Sequence, residues 1–486
     1  MKTNALYFLA AATAMAVVLA GCVQAPPPPS QTSEWTAPAD AQKQDKVWET
    51  VRAETPTDLS KPLTLPDIAD LALQNNAGTR KAWHEARAAS EQVRFAEGYF
   101  MPNINADAGM TRTTVSAHPD SFDQNNLAYG PGLQLSYLVF NFGGGRSAAV
   151  EQALQTVYAS NFAFNRAIQD ALLSAELAYY RVISAQAAVE ASATNAADTL
   201  AILDAATERR NTGIGVDLDV LQTQTLYDQA RFTLAGAQGK LKISWGLLAQ
   251  SVGLPADTKL QVTASSTNLP VSFSQQEMKQ FIDAALARRP DLAALRASLV
   301  AREAAIKVAN ATRWPSLYLS GSIDRNYNEL YGMSNRAAPY DEWAYSGGVS
   351  VKWNLFDGLQ TLSTKRTAEA QADATRSRLK EAELGASTEI WTRFQNYETS
   401  LSMQEFSLSA LNSATASWQL AMESYKSGVK SILDVLSAES QLAQARSQQI
   451  AARQDVFTAL AYLAHATGII EKGGSLQSLN TLKRND

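Results

Sequence analysis

From Asn103 to Thr113 apolar and polar residues alternate: Ile104, Ala106, Ala108 and Met110 fall on one side, Asn103, Asn105, Asp107 and Thr111 on the other. A period of two predicts a strand with one apolar and one polar face. A second alternating run sets Leu133, Leu135 and Tyr137 against Gln134 and Ser136, and the polar stretch Thr114–Tyr129 between them reads as a loop. Alternation then stops. No proline occurs from Gly132 to Leu254, and the alanine-rich stretch Gly145–Asn211 predicts one helix of roughly 100 Å at about 1.5 Å per residue. A glycine-containing turn follows, then a shorter helix over Asp217–Val252. Upstream, Leu65–Glu97 reads as a helix with Pro66 in its first turn and Gly98 after its end.

The same plan recurs. Pro102 matches Pro315, and Tyr137-Leu-Val-Phe-Asn-Phe-Gly143 matches Trp353-Asn-Leu-Phe-Asp-Gly358. Thr212-Gly213 with Leu218-Asp-Val-Leu221 matches Ser427-Gly428 with Leu433-Asp-Val-Leu436, and Gly253 matches Gly468, all at offsets of 213 to 216. In the second copy Leu317, Leu319 and Ile323 alternate with Ser316, Ser320 and Asp324, and Val349, Val351, Trp353 and Leu355 with Ser350, Lys352 and Asn354. Asn326–Tyr345 reads as a polar, aromatic loop, Gly358–Ser427 as the second long helix and Ser431–Thr467 as the second short one. The period far exceeds the 20–50 residues of solenoids, so the chain is a duplicated half-molecule. The repeats are placed at 65–254 and 275–470, with a tail over 471–486. Tyr318, Tyr327, Tyr331, Tyr340, Trp343 and Tyr345 cluster around the second pair of strands. They suit either a membrane-interface girdle or ordinary aromatic cross-strand pairs.

Ala5–Ala20, after Lys2, has the length and position of a secretory signal, not of a membrane span. It ends in Leu19-Ala20-Gly21-Cys22, which resembles the lipobox of bacterial lipoproteins; an incidental cysteine beside a simple cleavage site is the bland alternative. The resemblance implies a signal peptide over 1–21, a covalent lipid on Cys22, and, from Val23 in place of aspartate, sorting to the outer membrane. Cys22 is the only cysteine, so no intrachain disulfide forms. Pro26–Pro29 open a mostly polar stretch, and residues 22–64 read as an extended tether.

Net charge is −5, with no basic run, which excludes a nucleic-acid footprint. His84, His118 and His465 do not sit at metal-ligand spacing, and no metal or cofactor is expected beyond the lipid on Cys22. Gly143-Gly144-Gly145-Arg146-Ser147 resembles a phosphate loop but lacks its lysine, and it sits where a strand must turn into a helix. The chain reads as a non-enzyme.

Four strands cannot close a membrane barrel, for which eight is the practical minimum, and open edges in lipid cost several kcal/mol per group. Either the strands form a small soluble sheet or several chains pool them; three chains give twelve. Helices this poor in large apolar residues must pack closely, where small residues let backbones approach.

The strand–strand–helix–turn–helix plan in two copies resembles the TolC/OprM family of outer-membrane efflux channels. The most specific residues are Asn211-Thr-Gly-Ile-Gly-Val-Asp-Leu-Asp-Val-Leu221 and Tyr425-Lys-Ser-Gly-Val-Lys-Ser-Ile-Leu-Asp-Val-Leu436. The resemblance implies a mainly α fold with a membrane β-barrel: a homotrimer with a twelve-stranded outer-membrane barrel and a periplasmic α-helical tunnel. It implies a passive conduit for small toxic compounds, docked on a periplasmic adaptor and an inner-membrane pump. The alternatives are the duct of a type I protein-secretion system and a non-pore coiled-coil lipoprotein. The turns at Gly213 and Gly428 become the adaptor-docking tip. Tyr425, Lys430 and Asp219 match the family's periplasmic lock, with lysine where arginine is more usual, which loses bidentate geometry. Asp434 matches a constriction carboxylate, Ser437 replaces a second acidic position, and Leu433 adds an apolar constriction. An exposed i,i+4 pair of Lys430 with Asp434 is the plain reading of the same residues.

Overall fold

The computed structural model describes residues 61–115, 124–263, 275–331, 340–470 and 475. The signal, Cys22, the tether to residue 60, His118 and nearly all of the tail lie outside these. In chain order the elements are α1 (Leu65–Asn75), α2 (Ala77–Gly98), β1 (Asn103–Val115), β2 (Gln124–Asn141), α3 (Gly145–Asn211) and α4 (Asp217–Ser251). They recur as α5 (Gln275–Arg288), α6 (Pro290–Ala311), β3 (Ser316–Tyr331), β4 (Tyr340–Lys352), α7 (Gln360–Lys426) and α8 (Ile432–Ala466). Both long helices have 67 residues and both short ones 35.

The chain divides into two compact units. Among the described residues, one comprises Arg87–Ala159 and Leu295–Arg378; the other runs up to Ala86 and includes Ser160–Ala294 and the chain from Leu379. The first unit holds one antiparallel sheet in the order β1-β2-β3-β4. The strands outrun the sequence reading: Gln124–Tyr129, Asn326–Tyr331 and Tyr340–Tyr345, expected in loops, are paired strand. Backbone pairing continues through polar residues because the ladder is made by main-chain groups, whatever the side chains.

The second unit is built on narrow apolar seams. Ile390, Phe394 and Tyr397 of α7 meet Val456, Leu460 and Leu463 of α8, with Met278, Phe281 and Ala285 of α5 closing the cluster. The spacing i, i+4, i+7 on both long partners is one helix face. Burying each large side chain contributes about 1.5–3 kcal/mol. A second seam joins Ile68, Leu71 and Ala72 of α1 to Tyr179, Tyr180 and Val182 of α3, Leu248 of α4 and Val252 just after it.

The helix expected over Leu65–Glu97 is broken. Asn76 is extended (ψ 123°), and its side chain accepts from the backbone N–H of Gly78 at 2.7 Å and of Thr79 at 3.2 Å, capping α2. Its amide also donates to the Ser251 carbonyl at 3.3 Å, near the end of α4. Arg289 holds the corresponding joint of the second copy, between α5 and α6. Its guanidinium donates to Asp291 and Glu389, each at 2.7 Å, and to the Ala466 carbonyl at 3.1 Å at the end of α8. Burial opposes its charge, but those two carboxylates outweigh the burial and raise its pKa.

Candidate functional site: the sheet faces and the paired helix turns

Register decides what each face of the sheet carries. Ile104, Ala106 and Met110 stand opposite Leu135, Leu133 and Tyr129; Leu133 stands opposite Ile323, and Ile323 opposite Tyr345. Leu319 faces Val349, and Leu317 faces Val351. This apolar face is exposed, Val349 at 69% and Ile104 at 63%. The alternate rows are polar, Asn105–Gln134–Ser322–Ser346 and Asp107–Gly132–Asp324–Ala344.

Aromatic rings gather at both ends. Toward the β1–β2 and β3–β4 hairpins, Tyr129 stacks on Tyr327 with centroids 5.5 Å apart, and Trp343 on Tyr345 at 6.4 Å. Arg325 lies over Tyr327 and Trp343 and pairs with Asp341. Tyr318, by contrast, pairs with Ser350 in the polar register and is not on the apolar face; the side chains of Tyr331 and Tyr340 lie outside the described residues. At the opposite end Phe140, Phe142, Trp314, Trp353 and Phe356 are exposed. Sequence reading missed this second band. Its signal was the aromatic content of the two matched segments that end at Gly143 and Gly358.

Arg146, the basic residue of the glycine run, has a structural task. A register shift between Leu138 and Phe140 disturbs the end of β2. Arg146 donates to the Leu138 carbonyl at 2.6 Å and the Val139 carbonyl at 2.9 Å, and covers the Phe100 ring. The run turns a strand into a helix, and its cation is committed to backbone oxygens.

The two helix turns share one construction. The N–H of Gly213 donates to the Arg210 carbonyl and that of Ile214 to Arg209; the N–H of Gly428 donates to Tyr425 and that of Val429 to Ser424. Both glycines have positive φ, +73° and +80°, and the paired bonds satisfy carbonyls the ending helix leaves open. Space around both is ample: a Cβ at Gly213 meets nothing within 4 Å, and one at Gly428 only an Arg209 nitrogen at 3.9 Å.

Beyond the turns the copies differ. Asp434 closes a capping box: its carboxylate accepts from the Ser431 hydroxyl at 2.9 Å and the Ser431 N–H at 3.1 Å, and these bonds lower its pKa. Lys430 reaches it at 3.5 Å. Val216 stands where Ser431 stands, so Asp219 has no hydroxyl to cap, and its carboxylate makes no hydrogen bond or ion pair among the described residues. Within one chain, then, Lys430 is paired with Asp434 and not with Asp219. Leu433 is exposed at 62%. Tyr425 is 2% exposed, burial raises its pKa, and its hydroxyl has no hydrogen-bond partner. Its neighbour is Arg209 of the first copy, which sequence reading did not single out.

Farther along α8, Glu439 is 1% exposed and neither carboxylate oxygen has a hydrogen-bond partner. Burial, and then Asp198, push its pKa up to about 7 against the pull of Arg446. Arg446 itself is 2.7 Å from Asp198 and also donates to Asn195. A carboxylate between Val435 and Leu442 on the buried stripe was the readable signal.

The family model described as outer membrane efflux protein matches residues 68–254 and again 281–469. The chain therefore belongs to the outer membrane efflux protein family, and its place of work is the outer membrane. It is 27% identical to protein CyaE of Bordetella pertussis over 417 residues, covering 85% of each chain. It is 26% identical to outer membrane protein OprJ of Pseudomonas aeruginosa, covering 89% of each. The solved outer-membrane channel OprN has the same fold, at a TM-score of 0.71 and 20% identity over 93% of this chain and 98% of that one.

Proposed function

We propose that three copies of this chain pool their sheets into a closed twelve-stranded barrel in the outer membrane, and that their helices form a periplasmic conduit. Small toxic compounds are passed into this duct from an inner-membrane pump through a periplasmic adaptor. The observation that carries the reading is the sheet itself. It is an open four-stranded sheet, with one exposed apolar face bounded by aromatics at both ends and a polar face behind it. Lipid accepts the first face, a water-filled lumen the second, and closure between copies removes the edges. A lipid on Cys22 is a second anchor.

The turns at Gly213 and Gly428 form the periplasmic docking tip. Asp219, Tyr425, Lys430, Leu433 and Asp434 line its gate, where the uncommitted carboxylate of Asp219 is open to Lys430 of a neighbouring copy. Three copies of Asp434 favour cations in the pore.

Two results test this. Gly213→Val and Gly428→Val each force a β-branched residue into the left-handed region but into open space, so assembly is expected to survive. Drug resistance restored to a strain lacking the channel is expected to fall to that of the empty strain. Unchanged resistance in both variants counts against tip docking. Asp434→Asn keeps an oxygen for the Ser431 cap while removing charge. Cation selectivity in planar bilayers should fall with only a small drop in unfolding midpoint from the weaker cap, and selectivity equal to wild type removes Asp434 from the pore.

A further inference from the structure

Arg209 lies in the last turn of α3, and two of its side-chain contacts fall on one residue of the other copy. Its guanidinium lies 4.7 Å from the centroid of the Tyr425 ring. Its Nη1 donates to the Tyr425 backbone carbonyl at 2.5 Å. That carbonyl also accepts from the Gly428 N–H at 2.9 Å, so Arg209 binds at the C-terminal turn of α7, where a helix presents its open carbonyls and negative dipole end. Arg209's own carbonyl accepts from the N–H groups of Ile214 and Gly215, at 3.0 and 2.9 Å. One residue therefore fixes its own turn through its main chain and the opposite turn through its side chain.

The apolar packing follows the same line. Ile202 and Ala205 of α3 join Met422 and Tyr425 of α7 and Ile432, Val435 and Leu436 of α8 in one cluster, which no residue of α4 enters. Leu218 and Leu221, on the first turns of α4, are exposed. The buried Tyr425 hydroxyl touches no acceptor. What holds Tyr425 is its ring and its carbonyl.

We propose that Arg209 is the positioning residue that latches the tip within each chain: it fastens the end of α3 to the α7–α8 turn through the ring and carbonyl of Tyr425, and opening requires its release. The latch rests on the channel reading above. An arginine suits the task because a planar guanidinium stacks on a ring and donates at its edge at once.

The test uses the full-length lipoprotein, purified as its native oligomer and studied in planar bilayers. Arg209→Ala should raise resting conductance several-fold with the oligomer and its unfolding midpoint retained. Arg209→Lys, which keeps the cation and a donor, should recover part of the closure, and Arg210→Ala, which removes the neighbouring exposed cation paired with Asp217, should conduct like wild type. Should Arg209→Ala not assemble, Arg209→Gln, which loses the cation, is read the same way. A second readout does not depend on conductance. Spin labels at Ile214→Cys and Val429→Cys should report a longer and broader distance in Arg209→Ala, and the wild-type distance in Arg210→Ala. Wild-type distances in Arg209→Ala, or an Arg210→Ala protein as open as Arg209→Ala, overturn the latch. A wild-type protein without conductance overturns the channel reading alone, because the label distances still decide the latch.

Discussion

Arg289→Ala is expected to destabilise the helical unit of this chain by about 3 kcal/mol, read as the denaturant dependence of the helical signal in detergent. The guanidinium is 6% exposed and is held by Asp291 and Glu389, while it also donates to the Ala466 carbonyl at the end of α8. Removing one partner of a buried charge network costs about 3–5 kcal/mol, because the other charges stay behind. The low end applies here, since Asp291 and Glu389 are 36% and 33% exposed and regain water. Arg289→Lys keeps the charge but cannot serve both carboxylates and the carbonyl with one planar fork, so it should recover only part of the loss. A variant as stable as wild type would place the strength of this joint elsewhere, in the α5–α7–α8 seam.

Glu439→Gln is expected to act in the opposite direction and only above mildly acidic pH. The carboxyl of Glu439 has a folded-state pKa of about 7 against an ordinary 4.5. The folded protein thus holds its proton more tightly than the unfolded one, and stability falls as pH rises from 4.5 through 7. At about 1.4 kcal/mol per unit, the full penalty above pH 7 is on the order of 3 kcal/mol per chain. Glutamine imitates the protonated acid in shape and in its unmet hydrogen bonds. The variant should match wild type near pH 4.5, gain progressively to pH 7 and hold that gain at pH 8. A pH-independent difference would mean that the carboxyl titrates normally.

What the sequence disclosed followed from periodicity and punctuation. The alternation of Ile104 to Met110 and of Leu317 to Ile323 marks strands with one apolar face, and the glycines at 213 and 428 mark turns because helix ends there need positive φ. The long helix expected over Gly145–Asn211 is α3 itself. The break at Asn76 was hidden because one asparagine interrupts an apolar pattern that continues on both sides, although an asparagine that can cap a following helix was its signal. The polar ends of the strands were hidden because Gln124–Tyr129 and Asn326–Tyr331 pair through the main chain, which side-chain patterning does not report.

The two helix turns were legible as places, but not the contacts that join them. Tyr425, Lys430 and Asp434 stand out by spacing, and the capping of Ser431 by Asp434 is a local pattern, but the grip of Arg209 on Tyr425 depends on which helices meet. Arg209 and Tyr425 are 216 residues apart, and no local pattern joins them. The same holds for Glu439, whose raised pKa comes from burial and from Asp198 on another helix.

The central claim is that several copies close one pore through a membrane, and single-channel recording of the purified full-length protein tests it most directly. Discrete conductance steps are expected from the trimeric fraction in planar bilayers, with cation preference that weakens in Asp434→Asn. Trimers that insert into the bilayer and give no steps, or a protein that stays a stable monomer with its sheet edges unpaired, would contradict it.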